Sequence, residues 1–240
     1  IRVRHYSIRT EHTYADWVVR FVRFHGMRHP KDMGAHEINR FLTHLACEGN
    51  VAASTQNQAL CAIVFLYKHV LKKEVGELGD VIRAKKPERL PVVLTVDEVR
   101  QVLHHMYGVQ HLIGELLYGT GMRLMEAVRL RVKDVDFDRR LITIRDGKGQ
   151  KDRSAVLPQR VAGPLGEHLK KVRWLHDDDL KAGFGTVYLP YALERKYPNA
   201  NREWGWQYVF PAPQRSLDPR SGRTQRHHLA ENTVQTAVRE

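Results

Sequence analysis

Cysteine is scarce in this sequence. Only Cys47 and Cys61 occur in 240 residues, each inside an apolar pattern of helical spacing and without a partner at metal-ligand spacing. This usage excludes a disulfide framework and is typical of proteins from a reducing compartment. We therefore predict that both thiols lie in the core. The 14 histidines also lack the acidic or cysteine neighbours of a metal site, so we predict no bound metal.

Long apolar runs are also missing. No stretch approaches the roughly 18 residues that would indicate a membrane-spanning helix. No secretory signal precedes the first helical pattern either. We therefore expect no membrane partner and a cytoplasmic location. The sequence begins at Ile1 rather than at methionine, which leaves room for a short leader before it.

Acidic residues are outnumbered by basic ones. The chain carries 39 Lys and Arg against 27 Asp and Glu, a formal net charge of +12, with an isoelectric point near 9.8. An excess of this size favours a polyanionic partner such as nucleic acid. A soluble basic protein with solvated lysines is the simpler alternative, and net charge alone does not exclude it.

The periodicity predicts a mainly α protein with a small antiparallel sheet, in two domains. Apolar residues recur at helical spacing from residue 10 to 24, around 38–45, and from 54 to 67, where Ser54 is the predicted N-cap. These helices form an N-terminal bundle, residues 1–82. The proline-punctuated, basic segment 83–94 is predicted to be a linker, and residues 95–240 form a mixed α+β domain.

The second domain opens with clear local signals. Thr95 and Glu98 have the spacing of a capping box, in which the side chain of each residue accepts a hydrogen bond from the backbone amide of the other. Further along, β-branched runs at 141–145 and 153–158 surround a glycine-rich turn, which predicts a hairpin within the small sheet.

Two cations stand out in this domain. Arg123 follows a glycine turn at the predicted start of a short helix, and Lys148 lies between two glycines at the hairpin tip. Arginine matches phosphate oxygens with a planar fork of donors, and a mobile lysine can protonate a leaving oxygen. We interpret the pair as a site for a phosphodiester, with Lys151 and Arg153 holding phosphates nearby. Taken singly, Arg123 could merely cap a loop and Lys148 could be a solvated turn residue.

A third feature is the density of aromatic and basic residues between 183 and 228. Trp206 and the adjacent pair His227 and His228 are candidates for contact with nucleic-acid bases, because aromatic faces stack on bases while arginines bind phosphates. The alternative is that the aromatic residues anchor an inserted segment to the domain. We favour that role for Tyr188, Tyr191, Tyr197 and Phe210.

These motifs resemble those of the tyrosine site-specific recombinases of the integrase family. Thr120-Gly-Met-Arg123 with Glu126 resembles the first catalytic-arginine box, and Gly147-Lys-Gly149 with Lys151 and Arg153 resembles the β-hairpin lysine box. Segments 5–11, 53–60 and 189–211 resemble the integron integrases more narrowly, and the last of these is similar to the extra segment of that subfamily.

The resemblance implies a bacterial, cofactor-free enzyme that acts on DNA as a homotetramer. Its two domains would clamp the DNA, with Lys85, Lys86 and Arg89 of the linker following the backbone. Arg123 would bind the nonbridging phosphate oxygens and Lys148 would assist the leaving oxygen. Trp206, His227 and His228 would contact bases that protrude from folded single-stranded cassette sites, while other sites are duplex.

The family's second arginine, in a His-x-x-Arg box, and its tyrosine nucleophile would fall after Glu240. None of the nine tyrosines in the sequence follows such a box. The active site within these 240 residues is therefore incomplete, and a catalytically inactive DNA-binding fragment is an alternative function. A chromosome-dimer or phage recombinase is a third possibility, against which the 189–211 segment argues.

Overall fold

A computed structural model describes residues 6–73, 90–147, 151–190, 193–219 and 221–239. The chain divides into two compact units, Ile1–Val92 and Val93–Glu240, and each is described by itself. Lys85, Lys86, Arg89 and Lys148, which the sequence marks as candidate site residues, lie outside the described residues. None of the helices in the described ranges combines the length and apolar character that crossing a bilayer requires.

Three α-helices and a 3-10 turn, Pro30–Asp32, make up the described part of the first unit. The α-helices are α1 (Ile8–Phe24), α2 (Ala35–Cys47) and α3 (Ala53–Phe65), and α3 continues as a π-helical turn, Leu66–Leu71. Helix α1 begins two residues before the predicted start because the Ser7 hydroxyl caps it, accepting a hydrogen bond from the Thr10 amide at 3.1 Å. The apolar stripes of all three helices meet in one core, which contains Trp17, Phe21, Met33, Ile38, Phe41, Leu42, Leu45, Leu60, Ile63 and Tyr67.

Two predictions for this unit are wrong. Ala52, not Ser54, is the N-cap of α3: its backbone is extended, and its carbonyl accepts the first helical hydrogen bonds. Ser54 therefore lies one position inside the helix. Cys47 and Cys61 are both exposed rather than core thiols. On α3 the buried positions include Leu60 and Ala62, so the helix turns the intervening Cys61 away from the core.

The second unit contains the remaining helices of the described residues. Helix α4 (Val96–His105) begins with the predicted capping box: the Glu98 amide donates to the Thr95 hydroxyl at 3.3 Å, and the Thr95 amide donates to the Glu98 carboxylate at 2.7 Å. The other helices are α5 (Gly108–Thr120), α6 (Leu124–Val128), α7 (Gln159–Lys181), α8 (Leu193–Lys196) and α9 (Glu231–Arg239).

The predicted antiparallel sheet is confirmed. Its strands β1 (Val135–Asp136), β2 (Leu141–Ile144) and β3 (Arg153–Val156) are ordered β1-β2-β3, and Ile144 pairs with Arg153 at the hairpin end. A second, two-stranded sheet joins β4 (Ser216–Leu217) to β5 (Thr224–Gln225). The predicted fold class, mainly α with a small antiparallel sheet, is therefore correct.

Helix α5 lies at the centre of this unit, in contact with α4, α6, α7 and α9. The core around it is formed by Ile113, Leu116, Val128, Ile142, Ile144, Leu157, Val161, Leu165, Val209, Phe210 and Val234. Near the end of α5, Gly119 touches the residue before α7 closely: a Cβ at this position would lie 2.5 Å from Pro158 Cγ. Glycine is therefore needed here for the approach of the two helices.

Candidate functional site

Arg123 lies at the turn between α5 and α6. Gly121 ends α5 in the left-handed conformation, with φ +63°, and Arg123 is the N-cap of α6. The Thr120 hydroxyl donates to the Leu116 carbonyl at 2.6 Å and accepts from the Met122 amide at 3.3 Å. This local network fixes the turn, and the Arg123 side chain projects to the surface with 57% of its area exposed.

A buried carboxylate holds Arg123 and a second arginine together. Glu126, whose side chain is only 8% exposed, accepts from Arg123 Nη1 at 2.7 Å on one oxygen and from Arg153 Nη2 at 2.7 Å on the other. It also accepts from the Arg123 backbone amide at 2.9 Å. The structure thus brings together Arg123 and Arg153, two predicted site residues that are well separated along the chain.

The protonation of Glu126 follows from these contacts. Burial by itself would raise the pKa of this carboxyl, but the hydrogen bonds from Arg123 and Arg153 outweigh it and the pKa is lowered. Glu126 is consequently ionised at neutral pH. It can orient both guanidinium groups by charge-assisted hydrogen bonds, which are stronger than those between neutral groups.

The base of the β2–β3 hairpin lies beside this carboxylate. The Gly147 amide donates to the Lys151 carbonyl at 3.2 Å, and a Cβ on Gly147 would lie 3.4 Å from Glu126 Oε1. Asp152 braces the same base by accepting from the Asp146 amide at 3.0 Å. Gly147 directly precedes Lys148 in sequence, so the hairpin leaves the sheet next to Arg123. The Lys151 side chain is exposed at the other side of the hairpin base.

A second cluster lies where residues 130–133 run antiparallel to 206–209, a short ribbon with one bridge at Arg131 and Tyr208 that passes into the 3-10 turns Val132–Asp134 and Trp204–Trp206. The Val132 amide donates to the Gln207 carbonyl at 3.0 Å, the Val209 amide donates to the Leu130 carbonyl at 2.8 Å, and Arg131 bridges to Tyr208. Arg131 donates from its guanidinium to the carbonyls of Trp206 and Tyr188, at 2.7 and 2.8 Å. The ribbon therefore fixes the aromatic segment to the strand that precedes the sheet.

Trp206 is half-buried on this ribbon. It packs against a small apolar cluster that includes Val187, Leu189 and Tyr208. The Lys133 ammonium lies 3.0 Å from the centroid of the Trp206 ring. Trp206 therefore has both an anchoring contact and an accessible part, and the two roles that the sequence left open for it are compatible.

His227 and His228 form the adjoining part of the cluster. Their ring centroids are 4.1 Å apart. The centroid of the Tyr208 ring lies 5.5 Å from that of His227 and 5.4 Å from that of His228. Desolvation in the ring cluster lowers the pKa of both, with that of His228 lowered to about 4, and the cations Arg129 and Arg131 act in the same direction. Both imidazoles are accordingly neutral at neutral pH, which suits stacking rather than ion pairing.

Several expectations about the aromatic residues can now be compared with the structure. Phe210 is fully buried, as predicted for an anchor, but Tyr188 and Tyr197 are 40% and 48% exposed, so the prediction is wrong for their rings. Tyr191 lies outside the described residues.

The sequence interpretation also missed Arg131 and Lys133. In Arg-Val-Lys at 131–133 the two cations are two positions apart, as are the two aromatic residues in Trp-Gln-Tyr at 206–208. No feature of the nearby sequence indicates that these two triplets contact each other.

Comparison with known proteins agrees with this fold. The model of the phage integrase N-terminal SAM-like domain matches residues 1–77, and that of the phage integrase family matches residues 92–240. Proteins named integrase/recombinase from Escherichia coli and Pseudomonas aeruginosa are 48% identical over 241 residues, which covers 100% of this chain and 71% of each relative.

More distant relatives include tyrosine recombinase XerA of Thermococcus kodakarensis, 32% identical over 169 residues, which cover 68% of this chain and 56% of that protein. Among solved structures, the Tn1549 transposon integrase in complex with transposon right end DNA matches with a TM-score of 0.53 and 17% identity, covering 71% of this chain and 62% of that one. The structural likeness concerns the fold. Together with the matches along the whole sequence, it shows that the chain belongs to the phage integrase family of site-specific tyrosine recombinases.

Proposed function

We propose that this chain belongs to an integron-type recombinase, which exchanges DNA strands at cassette recombination sites and recognises folded single strands by their protruding bases. The observation that carries the proposal is the half-buried Trp206 ring, in contact with the Lys133 ammonium, on a ribbon whose Tyr208 ring contacts two neutral histidines. DNA as the partner is supported by the net charge of +12 and by the Tn1549 integrase, whose structure contains transposon DNA.

Arg123 and Lys148 carry the proposed phosphate chemistry. Arg123 binds the nonbridging oxygens, and Lys148 protonates the 5′ oxygen as its bond to phosphorus breaks. The hydroxyl of the family's tyrosine nucleophile gives up its proton to solvent and forms the new bond to phosphorus, which gives a 3′-phosphotyrosyl intermediate. Rejoining reverses these steps, so the phosphodiester energy is retained and no cofactor is consumed. The exposed guanidinium of Arg123, oriented by Glu126 at 2.7 Å, supports this role.

The remaining candidate residues serve binding in this proposal. Lys151 and Arg153 lie at the hairpin base beside the phosphate site, and Lys85, Lys86 and Arg89 belong to the proposed linker, 83–94. The linker joins an N-terminal domain, 1–82, to the catalytic domain, 95–240, and the two clamp the DNA. Four copies assemble on a pair of sites.

A stacked base supplies the selectivity for folded sites. Stacking of one base on an aromatic side chain contributes about 1–3 kcal/mol, which corresponds to roughly 5- to 150-fold in affinity. His227 and His228 would contact a base from the same cluster, because both rings lie against Tyr208, two residues from Trp206. Duplex sites without protruding bases would use the phosphate contacts alone.

The test is a binding titration of this chain with a folded hairpin that carries protruding bases and with the same hairpin from which those bases are deleted. We expect the base-bearing hairpin to bind at least about fivefold more tightly. Trp206→Ala should bring the two affinities together. Trp174→Ala is the matched control, because Trp174 is 70% exposed on α7 and has no place in the proposal.

Equal affinity of the wild-type chain for the two hairpins would overturn the integron-type proposal. Such a result would favour a recombinase that recognises duplex DNA. Loss of selectivity in both tryptophan variants would also contradict it, because the effect would then not depend on the Trp206 ring.

A further inference from the structure

Two cation–aromatic pairs face each other across the 130–133/206–209 ribbon. The Arg131 guanidinium lies 3.7 Å from the centroid of the Tyr208 ring, and the Lys133 ammonium lies 3.0 Å from that of Trp206. Arg131 and Tyr208 form the antiparallel bridge, and Lys133 and Trp206 lie in the 3-10 turns on one side of it, Val132–Asp134 and Trp204–Trp206. The contact of these two turns brings the Lys133 ammonium over the Trp206 ring.

The two cations differ in how firmly they are held. Arg131 donates to two carbonyl groups and is part of the ribbon itself. Lys133 is exposed, and its ammonium contacts the Trp206 ring. The carboxylate of the neighbouring Asp134 forms a salt bridge with Arg145, with Nε 2.7 Å from Oδ1. A flexible lysine in this position can leave the ring at little cost.

Trp206 does not depend on Lys133 for its position. Its carbonyl accepts from Arg131, its amide donates to the Glu203 carbonyl at 3.1 Å, and its ring packs on the Val187–Leu189 cluster. The ring would therefore keep its place after Lys133 moved away. What Lys133 changes is the access to one ring face.

We propose that Lys133 is a specificity-determining residue of the Trp206 site: its ammonium covers the stacking face in the free protein and is displaced when a nucleic-acid base stacks there. Once displaced, the ammonium is repelled by Arg131 and Arg145 and turns towards solvent. This inference rests on the proposed function, because it takes Trp206 as the surface that receives the protruding base.

Competition between ammonium and base has a measurable consequence. A base must replace the cation–π contact, so Lys133 reduces the gain from stacking by about two- to fivefold, the factor that such a contact represents at an exposed site. A phosphate contact of Lys133, in contrast, changes the affinity for both hairpins alike. The ratio of the two affinities therefore isolates the effect on the ring.

The experiment measures this ratio for the wild type, Lys133→Ala, Lys133→Arg and the control Lys171→Ala, an exposed lysine on α7. We expect Lys133→Ala to raise the ratio about two- to fivefold, and the other two variants to leave it near the wild-type value. In a Trp206→Ala background, Lys133→Ala should not change the ratio. Acrylamide quenching of the free protein should also increase in Lys133→Ala, and only when Trp206 is present.

A ratio that stays the same or falls in Lys133→Ala would overturn the inference, as would a rise that persists without Trp206. Failure of the proposed function gives a different result. In that case Trp206→Ala leaves the wild-type ratio unchanged, whereas the quenching experiment still reports whether Lys133 covers the ring.

Discussion

At the scale of single residues, Glu126 determines how the two arginines of the proposed phosphate site are oriented. Each carboxylate oxygen binds a different guanidinium, at 2.7 Å in both cases. If a phosphate oxygen replaces Oε1 as the partner of Arg123, Arg153 still neutralises the buried carboxylate. Because an unpaired buried charge is costly, this second partner makes it easier for Arg123 to exchange Glu126 for DNA.

A substitution of Arg123 tests its role in the chemistry. In the full-length recombinase, we expect Arg123→Ala to reduce strand cleavage at least about 100-fold, since it removes a preorganised donor to the phosphate oxygens. Binding to a folded site should weaken by no more than roughly fivefold, the value of a single exposed contact. Cleavage of a radiolabelled site and a gel shift on the same DNA measure the two effects.

The control for this prediction is Arg139→Ala. Arg139 is 80% exposed in the turn between β1 and β2, so its removal should affect neither quantity. An equal loss of cleavage and binding in Arg123→Ala would show that this arginine serves binding only.

At the scale of elements, the proposed phosphate site depends on the packing of α5 against the start of α7. Helix α5 ends at the turn that carries Arg123, and Pro158 precedes α7 directly after the strand that carries Arg153. The close contact at Gly119 therefore sets the distance between the two chain segments that supply the arginines. A larger side chain there would separate them.

Two glycine substitutions of the same kind should have opposite effects. We expect Gly119→Ala to lower the free energy of unfolding by about 1–3 kcal/mol, because the new Cβ would overlap Pro158. Gly166→Ala, within α7, should raise it by about 0.5–1 kcal/mol, since a Cβ there meets nothing within 4 Å and alanine favours the helix. Urea denaturation followed by circular dichroism measures both, and destabilisation by both variants would contradict the packing argument.

At the scale of the whole molecule, the two units differ in their sensitivity to acid. In the second unit, desolvation lowers the pKa of His168, His176, His227 and His228. In the described part of the first unit, desolvation lowers the pKa of His25. When the pKa of a histidine is lower in the folded protein than in the unfolded protein, the unfolded protein binds the proton at a higher pH. Acidification therefore favours unfolding.

We therefore expect the second unit to lose stability as the pH falls from 6.5 towards about 4, and to lose more than the first. Below pH 4.5, protonation of Glu126, whose pKa is lowered, adds to the loss. Tryptophan fluorescence in urea separates the units, because Trp17 reports on the first and Trp174, Trp204 and Trp206 report on the second. His228→Gln should reduce the pH dependence of the second unit, and an unchanged dependence would argue against the contribution of this histidine.

The local features of the fold could be predicted from sequence because their energies depend on residues a few positions apart. The capping box of Thr95 and Glu98, the β2–β3 hairpin and the glycine turn before Arg123 are of this kind. The N-cap of α3 was misplaced since Ser54 is a favoured capping residue, whereas the backbone becomes extended at Ala52. The exposure of Cys61 was misjudged because its apolar neighbours in sequence face the core.

The sequence by itself determined the family, the helices of the first unit and the position of Arg123 at a helix start, since motif and periodicity are local properties. Only the tertiary structure decided that Glu126 binds Arg153 as well as Arg123, and that the ribbon places Lys133 on Trp206. The physical reason is separation along the chain. Arg131 and Trp206 are 75 residues apart, and their contact exists because the packing of the whole second unit closes that loop.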